Sequence, residues 1–215
     1  KVSTSVANSQ GLNAEIKLSN NFTYNSLNSF MRPSKGFYSR FTNILSPISN
    51  SDNGYIKNIF LLRNYYQIDK NILSLQSTIG NIFSLQNTAI DNDNKFSLGG
   101  RWLRGFDSLG AGPRNTSSSY IGGNSIFVTK FDLSRSLLSN QSEHPIDINL
   151  FTDVGNVFGN KDDPTFSKET IRASYGAGVK FYTPIGPIGL SWSFPLMSES
   201  YDIKRSFLFS IGDLN

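Results

Sequence analysis

The sequence contains no cysteine and a single histidine, His144. Disulfide scaffolds, thiolate metal sites and cysteine nucleophiles are therefore excluded. His144 stands in Ser142-Glu143-His144-Pro145, a turn-like stretch before an apolar segment, and reads as an exposed loop residue. A serine–histidine triad would have to be built on it, and no G-x-S-x-G elbow accompanies it. Charge is scarce as well: 17% of residues are Asp, Glu, Lys or Arg, against about 25% in ordinary soluble domains. The net charge of +4 is small and its cations are scattered, so there is no nucleic-acid footprint and no nucleic-acid partner is expected. No apolar run approaches the ~18 to 20 residues of a transmembrane helix, and no segment of convincing length repeats with a helical period. Gly99-Gly100 is no phosphate cradle, because no helix follows it. Three Asn-x-Ser/Thr triplets, at Asn21, Asn115 and Asn140, are what so Asn- and Ser-rich a chain produces by composition alone. No secretory signal is visible at Lys1, so the chain reads as a mature product or an internal segment. No catalytic constellation emerges, and neither cofactor nor metal is expected.

What is present is period-two alternation over most of the 215 residues. Such alternation puts successive side chains on opposite faces of a strand. From Leu12 to Tyr24, one register reads Leu, Ala, Ile, Leu, Asn, Phe, Tyr and the other is wholly polar. Further strands are expected over Phe37–Leu45, Tyr55–Ile68, Ile72–Leu85 and, briefly, Lys95–Leu98. A strand opened by Gly122-Gly123-Asn124 runs to Leu133, with a mixed register of Ile126, Val128, Lys130 and Asp132. Ile146–Val157, Ile171–Phe181, Ile188–Leu196 and Ser206–Gly212 complete about nine or ten strands. In the eighth of these, Ile171, Ala173, Tyr175, Ala177, Val179 and Phe181 face one way, and Arg172, Ser174, Gly176, Gly178 and Lys180 the other. A dry core could not bury Arg172 and Lys180 unpaired. The arrangement expected is apolar outside, polar and glycine-rich within, as in a transmembrane antiparallel β-barrel. Alternation alone does not separate this from a soluble sandwich or lipocalin-like barrel, which would turn the same apolar registers inward.

The stretch from Gly99 to Asn115 is glycine-punctuated and keeps Arg104 beside Trp102, Leu103 and Phe106. An arginine folded back into an enclosed polar space would meet a carboxylate there; a solvated loop arginine is the plainer alternative. Asp153 lies on the polar register of its strand with Gly155 beside it, and a glycine there leaves room for another segment to approach. Asp132 shares a register with polar members. A carboxylate facing an arginine in a polar interior gains from bidentate contact; simple exposure of Asp153 to water is the alternative.

Leu103-Arg104-Gly105-Phe106 resembles the V/I/L-R-G-F/Y loop motif of the BamA/TamA outer-membrane assembly superfamily. Gly110-Ala111-Gly112-Pro113-Arg114-Asn115 resembles its G-x-G-P-K/R-D/N continuation, and Ile121-Gly122-Gly123-Asn124 its L-G-G-N strand opening. Phe151-Thr152-Asp153-Val154-Gly155 is similar to the F-x-D-x-G strand, and Thr183-Pro184-Ile185-Gly186-Pro187 to the S/T-P-x-G-P hairpin. Pro33-Ser34-Lys35-Gly36 matches a P-T-x-G turn.

The resemblance implies the C-terminal portion of an outer-membrane β-barrel domain of about sixteen strands, spanning residues 1–215, with the arginine loop inserted in the lumen. It implies that Arg104 pairs with Asp153 and that Asp132 holds the matching acidic position. It implies a non-enzymatic insertase that folds other β-barrel proteins into the membrane by opening a seam. The seam strand here would carry Phe207, Phe209, Ile211 and Gly212. Exporters and passive pores of the same architecture are the alternatives. Implied partners are outer-membrane lipid, unfolded β-barrel clients and accessory subunits of an assembly complex, at a bacterial or mitochondrial outer membrane. Two departures stand out. The chain ends Gly212-Asp213-Leu214-Asn215 rather than in an aromatic residue, and no soluble N-terminal domain precedes the strands.

Overall fold

A computed structural model describes residues 15–48, 54–86, 90–137, 145–159, 170–183 and 186–212. His144 and Pro184 lie outside the described residues, as do Leu12 to Ala14 at the head of the first expected strand. Nine strands form one antiparallel sheet in the order β1-β2-β3-β4-β6-β7-β8-β9-β11. They are β1 (Ile16–Asn25), β2 (Gly36–Ile48), β3 (Tyr55–Ile68), β4 (Asn71–Ser84), β6 (Ser125–Ser136), β7 (Ile146–Phe158), β8 (Arg172–Thr183), β9 (Gly186–Met197) and β11 (Phe207–Ile211). Two short strands, β5 (Gly105–Phe106) and β10 (Lys204–Arg205), pair with each other apart from the main sheet. No helix occurs among the described residues.

The hairpins follow from local chemistry. β3 and β4 stay in register from Tyr55↔Ser84 to Ile68↔Asn71 and turn on Asp69-Lys70. Asp69 has φ 53°, a left-handed conformation that aspartate tolerates better than most residues. The sheet curls. Arg32, between β1 and β2, donates through Nε and Nη2 to Asp147 on β7 at 3.0 and 2.6 Å. Its guanidinium also lies 5.6 Å from the Tyr182 ring on β8. Three strands stand between β2 and β7 in the sheet order, so only a curved sheet brings these groups together.

The outer face carries the apolar registers. Phe22, Ile79, Leu150 and Leu196 are 59–67% exposed. Ile171 and Trp192 are 44% and 47% exposed and do not converge on a dry centre. The inner face is less uniform than a polar lining. Beneath residues 90–123 lies an apolar cluster in which Tyr55, Ile82, Ile126, Val128 and Val157 of the sheet meet Ile90, Phe96, Leu98, Leu103, Phe106 and Ala111 of the loop. The mixed register of β6 is thereby explained: Ile126 and Val128 meet the apolar side chains of the loop, and Lys130 and Asp132 meet its polar groups at Arg101 and Arg104.

Two sequence expectations change. Lys95–Leu98 forms no strand; Phe96 and Leu98 make isolated bridges to Gly123 and Ala111, because no regular neighbour lies alongside. Gly122, Gly123 and Asn124 precede β6 instead of starting it. Ala173 keeps the outer register, opposite Val154 of β7, yet is only 3% exposed, where the β8–β9 pairing shifts between Ala173 and Ser174.

Candidate functional site

The loop between β4 and β6 returns across the inner face and is fastened by its own backbone before Arg104 reaches its partners. Gly123 N–H donates to the Phe96 carbonyl at 3.1 Å, and Phe96 N–H returns the bond at 2.9 Å. The Asn124 carbonyl accepts from Ile82 N–H at 2.8 Å. Gly122 packs where a Cβ would come within 2.9 Å of the Phe96 carbonyl oxygen. Arg114 ties the far half by donating to the carbonyls of Leu109, Gly110 and Ser118. Beside it, burial pushes the Tyr120 phenol up to about 12, so the hydroxyl stays protonated while it accepts from Leu98 N–H at 3.2 Å.

Leu103 and Phe106 anchor the motif in the apolar cluster at 0% and 1% exposure. Between them Arg104 turns the other way. Its backbone N–H and Nε donate to Asp153 Oδ2 at 3.1 and 2.7 Å, and Nη2 donates to Asp153 Oδ1. Nη1 and Nη2 donate to Asp132 Oδ1 and Oδ2 at 3.1 and 3.0 Å. One guanidinium thus forks onto two carboxylates, the geometry in which arginine binds most strongly. Its plane lies 3.5 Å from the centroid of the Phe151 ring, a cation–π contact strengthened by loss of solvent.

Strand register explains why both acids face the loop. Lys130 pairs with Asp153 and Asp132 with Phe151 across β6 and β7, so all four side chains project to one face. Asn149 Nδ2 donates to Asp132 Oδ1 at 2.6 Å, Lys180 Nζ stands 4.0 Å from it, and Lys130 Nζ donates to the Arg101 carbonyl. Three cations around two carboxylates leave no uncompensated negative charge.

Gly105 carries φ 94° and sits where a Cβ would lie 3.0 Å from Ser174 Cβ. Both facts favour glycine, which alone adopts such a φ without strain. Gly155 gives its clearance to Phe127 and Val128 of β6 rather than to the loop. Gly186 and Pro187 open β9, and the Pro187 carbonyl accepts from Gly212 N–H at 2.9 Å. Phe207, Phe209 and Ile211 lie on the outer face of β11 at 45–54% exposure. Sequence reasoning missed Phe151 and Asn149 as partners of the arginine network, although both share the inward register with Asp153.

A family model described as the Omp85 superfamily domain matches residues 2–214. The chain belongs to the Omp85 superfamily. This Omp85 chain is 26% identical over 215 residues to the outer membrane protein assembly factor BamA of Neorickettsia risticii, covering 96% of the chain and 28% of that protein. It is also 26% identical over 217 residues to a SAM50-like protein of Schizosaccharomyces pombe, covering 96% of the chain and 46% of that protein. The chain therefore spans less than half the length of either relative. Its fold is that of the crystal structure of BamA from Haemophilus ducreyi lacking POTRA domains 1–3, with a TM-score of 0.80 at 24% identity, covering 92% of the chain and 42% of the other.

Proposed function

We propose that this chain is the C-terminal portion of an outer-membrane β-barrel that folds and inserts other β-barrel proteins, with the arginine loop held in its lumen. The observation that carries the reading is the contrast between the last strand and the wall behind it. β11 pairs with β9 over five residues, while β3 and β4 pair over fourteen. Separating β11 gives up far fewer backbone bonds than separating any longer pair. Its free edge, among the described residues, is bordered by the outward-facing Phe207, Phe209 and Ile211. An unpaired edge templates an incoming strand through main-chain bonds. The buried Arg104 network keeps β6 and β7 closed while the edge works. The barrel closes with strands of the longer protein, since lipid leaves no backbone group unpaired.

Depletion of the full-length protein is expected to lower many outer-membrane barrel proteins together, scored by quantitative membrane proteomics. Loss of a single secreted or surface partner, with other barrels at normal level, would overturn the reading. That outcome belongs to a protein-translocating channel of the same superfamily. The observation favouring it is an inner-face cavity of about 340 Å³ bordered by Arg40, Arg63, Arg101 and Lys130, with no carboxylate among the described residues that line it.

Membrane orientation has its own test. Leu150 is 62% exposed and lies mid-strand on β7 between Leu133 and Ala177. Leu150→Arg is expected to cost about 2–4 kcal/mol if that position faces the bilayer midplane, read as a lower urea midpoint in vesicles. A water-facing position tolerates the same change within about 0.5 kcal/mol.

A further inference from the structure

A second buried arginine takes no part in the Arg104 network. Arg172 opens β8 at 1% exposure. Its Nε donates to Asp202 Oδ2 at 3.1 Å, and Nη2 reaches Asp202 Oδ1 at 3.4 Å and the Tyr201 hydroxyl at 3.1 Å. Nη1 donates to Asn156 Oδ1 at 3.1 Å and to the Thr170 carbonyl at 2.7 Å. Asp202 Oδ2 also accepts from Glu199 N–H at 2.8 Å. A cation and a carboxylate this deeply buried depend on each other, because removing one leaves the other uncompensated.

Asp202 belongs to the connection that leads into β11, and the next residues of that connection grip the arginine loop. Ile203 N–H donates to the Gly110 carbonyl, and Asp107 N–H to the Ile203 carbonyl, both at 2.9 Å. Lys204 and Arg205 then pair with Phe106 and Gly105 of the motif itself. Ser193 N–H donates to the Ser206 carbonyl at 2.8 Å. From Asp202 to Ser206 the chain is fastened in turn to β8, the arginine loop and β9. At ~3.3–3.6 Å per residue, no slack remains before Phe207.

We propose that Arg172 is a positioning residue for the last strand: with Asp202 it forms a second ion lock that joins the arginine loop and β11 into one mechanical unit. Release of Arg104 from Asp132 and Asp153 then loosens β11, although neither acid lies on β11 or on its partner β9. The use of β11 as a seam rests on the function proposed above; the coupling itself is a property of the fold.

The test is hydrogen exchange of the full-length protein in lipid nanodiscs, followed in peptides covering 198–212, 146–158 and 55–84. Asp202→Asn keeps the side-chain shape and removes its charge; Arg172→Lys keeps the charge and removes the fork. Each is expected to accelerate exchange of the β9-paired amides in Phe207–Ile211 about tenfold, equal to about 1.4 kcal/mol of local opening. Residues 55–84 keep their rates, and in 146–158 any change stays near Asn156, the β7 partner of Arg172. Arg104→Ala accelerates the same β11 amides in the wild-type background but adds little once Asp202→Asn is present, the non-additivity of one coupled unit. Tyr201→Phe, which removes one neutral contact, gives about a threefold acceleration and serves where the charge variants fail to fold. Acceleration confined to 198–206, or spread evenly over every strand, would overturn the proposal, as would additive effects of Arg104→Ala and Asp202→Asn. Client insertion is scored in parallel. Normal insertion with a loosened β11 removes the seam reading and leaves the coupling intact.

Discussion

Arg104→Ala is expected to lower the unfolding free energy of the domain by about 3–5 kcal/mol, the range for breaking a buried ion pair from one side. The loss comes less from the missing contacts than from what stays behind. Asp153 is 0% exposed and Asp132 8% exposed, and both lose the guanidinium that forks between them, with only the more distant Lys130 and Lys180 nearby. Asp153 retains the backbone N–H at position 104, and Asp132 retains Asn149. Neither bond neutralises a carboxylate. Arg104→Lys should recover only part of the loss, because one ammonium cannot fork onto two acids or lie flat on the Phe151 ring. Asp153→Asn should cost less than Arg104→Ala, since Asp132 still pairs the arginine. Adding Asp132→Asn and Asp153→Asn to Arg104→Ala should recover part of the loss, because the carboxylates go with the guanidinium while Lys130 and Lys180 stay without their acids. The readout is the urea midpoint of heat-modifiable gel mobility in the full-length protein. Wild-type mobility and client levels in both Arg104→Ala and Asp153→Asn would remove the pairing's importance.

Gly176→Ala is expected to be nearly as damaging although it adds one methyl group. A Cβ at Gly176 would stand 2.1 Å from the Trp192 carbonyl oxygen, 2.6 Å from Phe151 Cζ and 2.9 Å from Ser193 Cα. Two of these atoms are backbone of the neighbouring strand, so no rotamer change relieves the overlap. Either β8 and β9 separate locally or the Phe151 ring moves out from under Arg104. Overpacking of this kind costs about 1–3 kcal/mol, and here it also disturbs the ring that carries the guanidinium. A neighbouring control sits one residue away: Ala177 is exposed on the outer face, and Ala177→Val should stay within about 0.5 kcal/mol. Equal urea midpoints for the two variants would show that Gly176 is not a close-approach position.

The first prediction concerns a pairing that the family resemblance had implied, Arg104 with Asp153 and Asp132; the second concerns Gly176, which parity placed on the inward register without naming its neighbours. Parity assigns a face to each strand residue, and Asp147, Asn149, Phe151, Asp153 and Gly155 indeed share one. Parity says nothing of what lies above that face. The apolar members of the β6 register looked anomalous for a wet interior until the loop's own Leu98, Leu103 and Phe106 covered them. The short strand expected at Lys95–Leu98 failed for the complementary reason: four residues of suitable pattern make no strand without a neighbour to pair with. β10 was invisible because two residues have no period.

From the sequence alone came the strand faces, the tight turn at Asp69-Lys70, the Omp85-type motif and the identity of its arginine, because a period of two and a local turn are encoded by adjacent residues. Tertiary structure decided the rest. It stacked Arg104 on Phe151, brought Asp202 thirty residues along the chain to Arg172, and tied the motif to the strand that ends the sheet. Those contacts depend on sheet curvature and loop return, which bring together side chains whose separation in sequence carries no record of their distance in space.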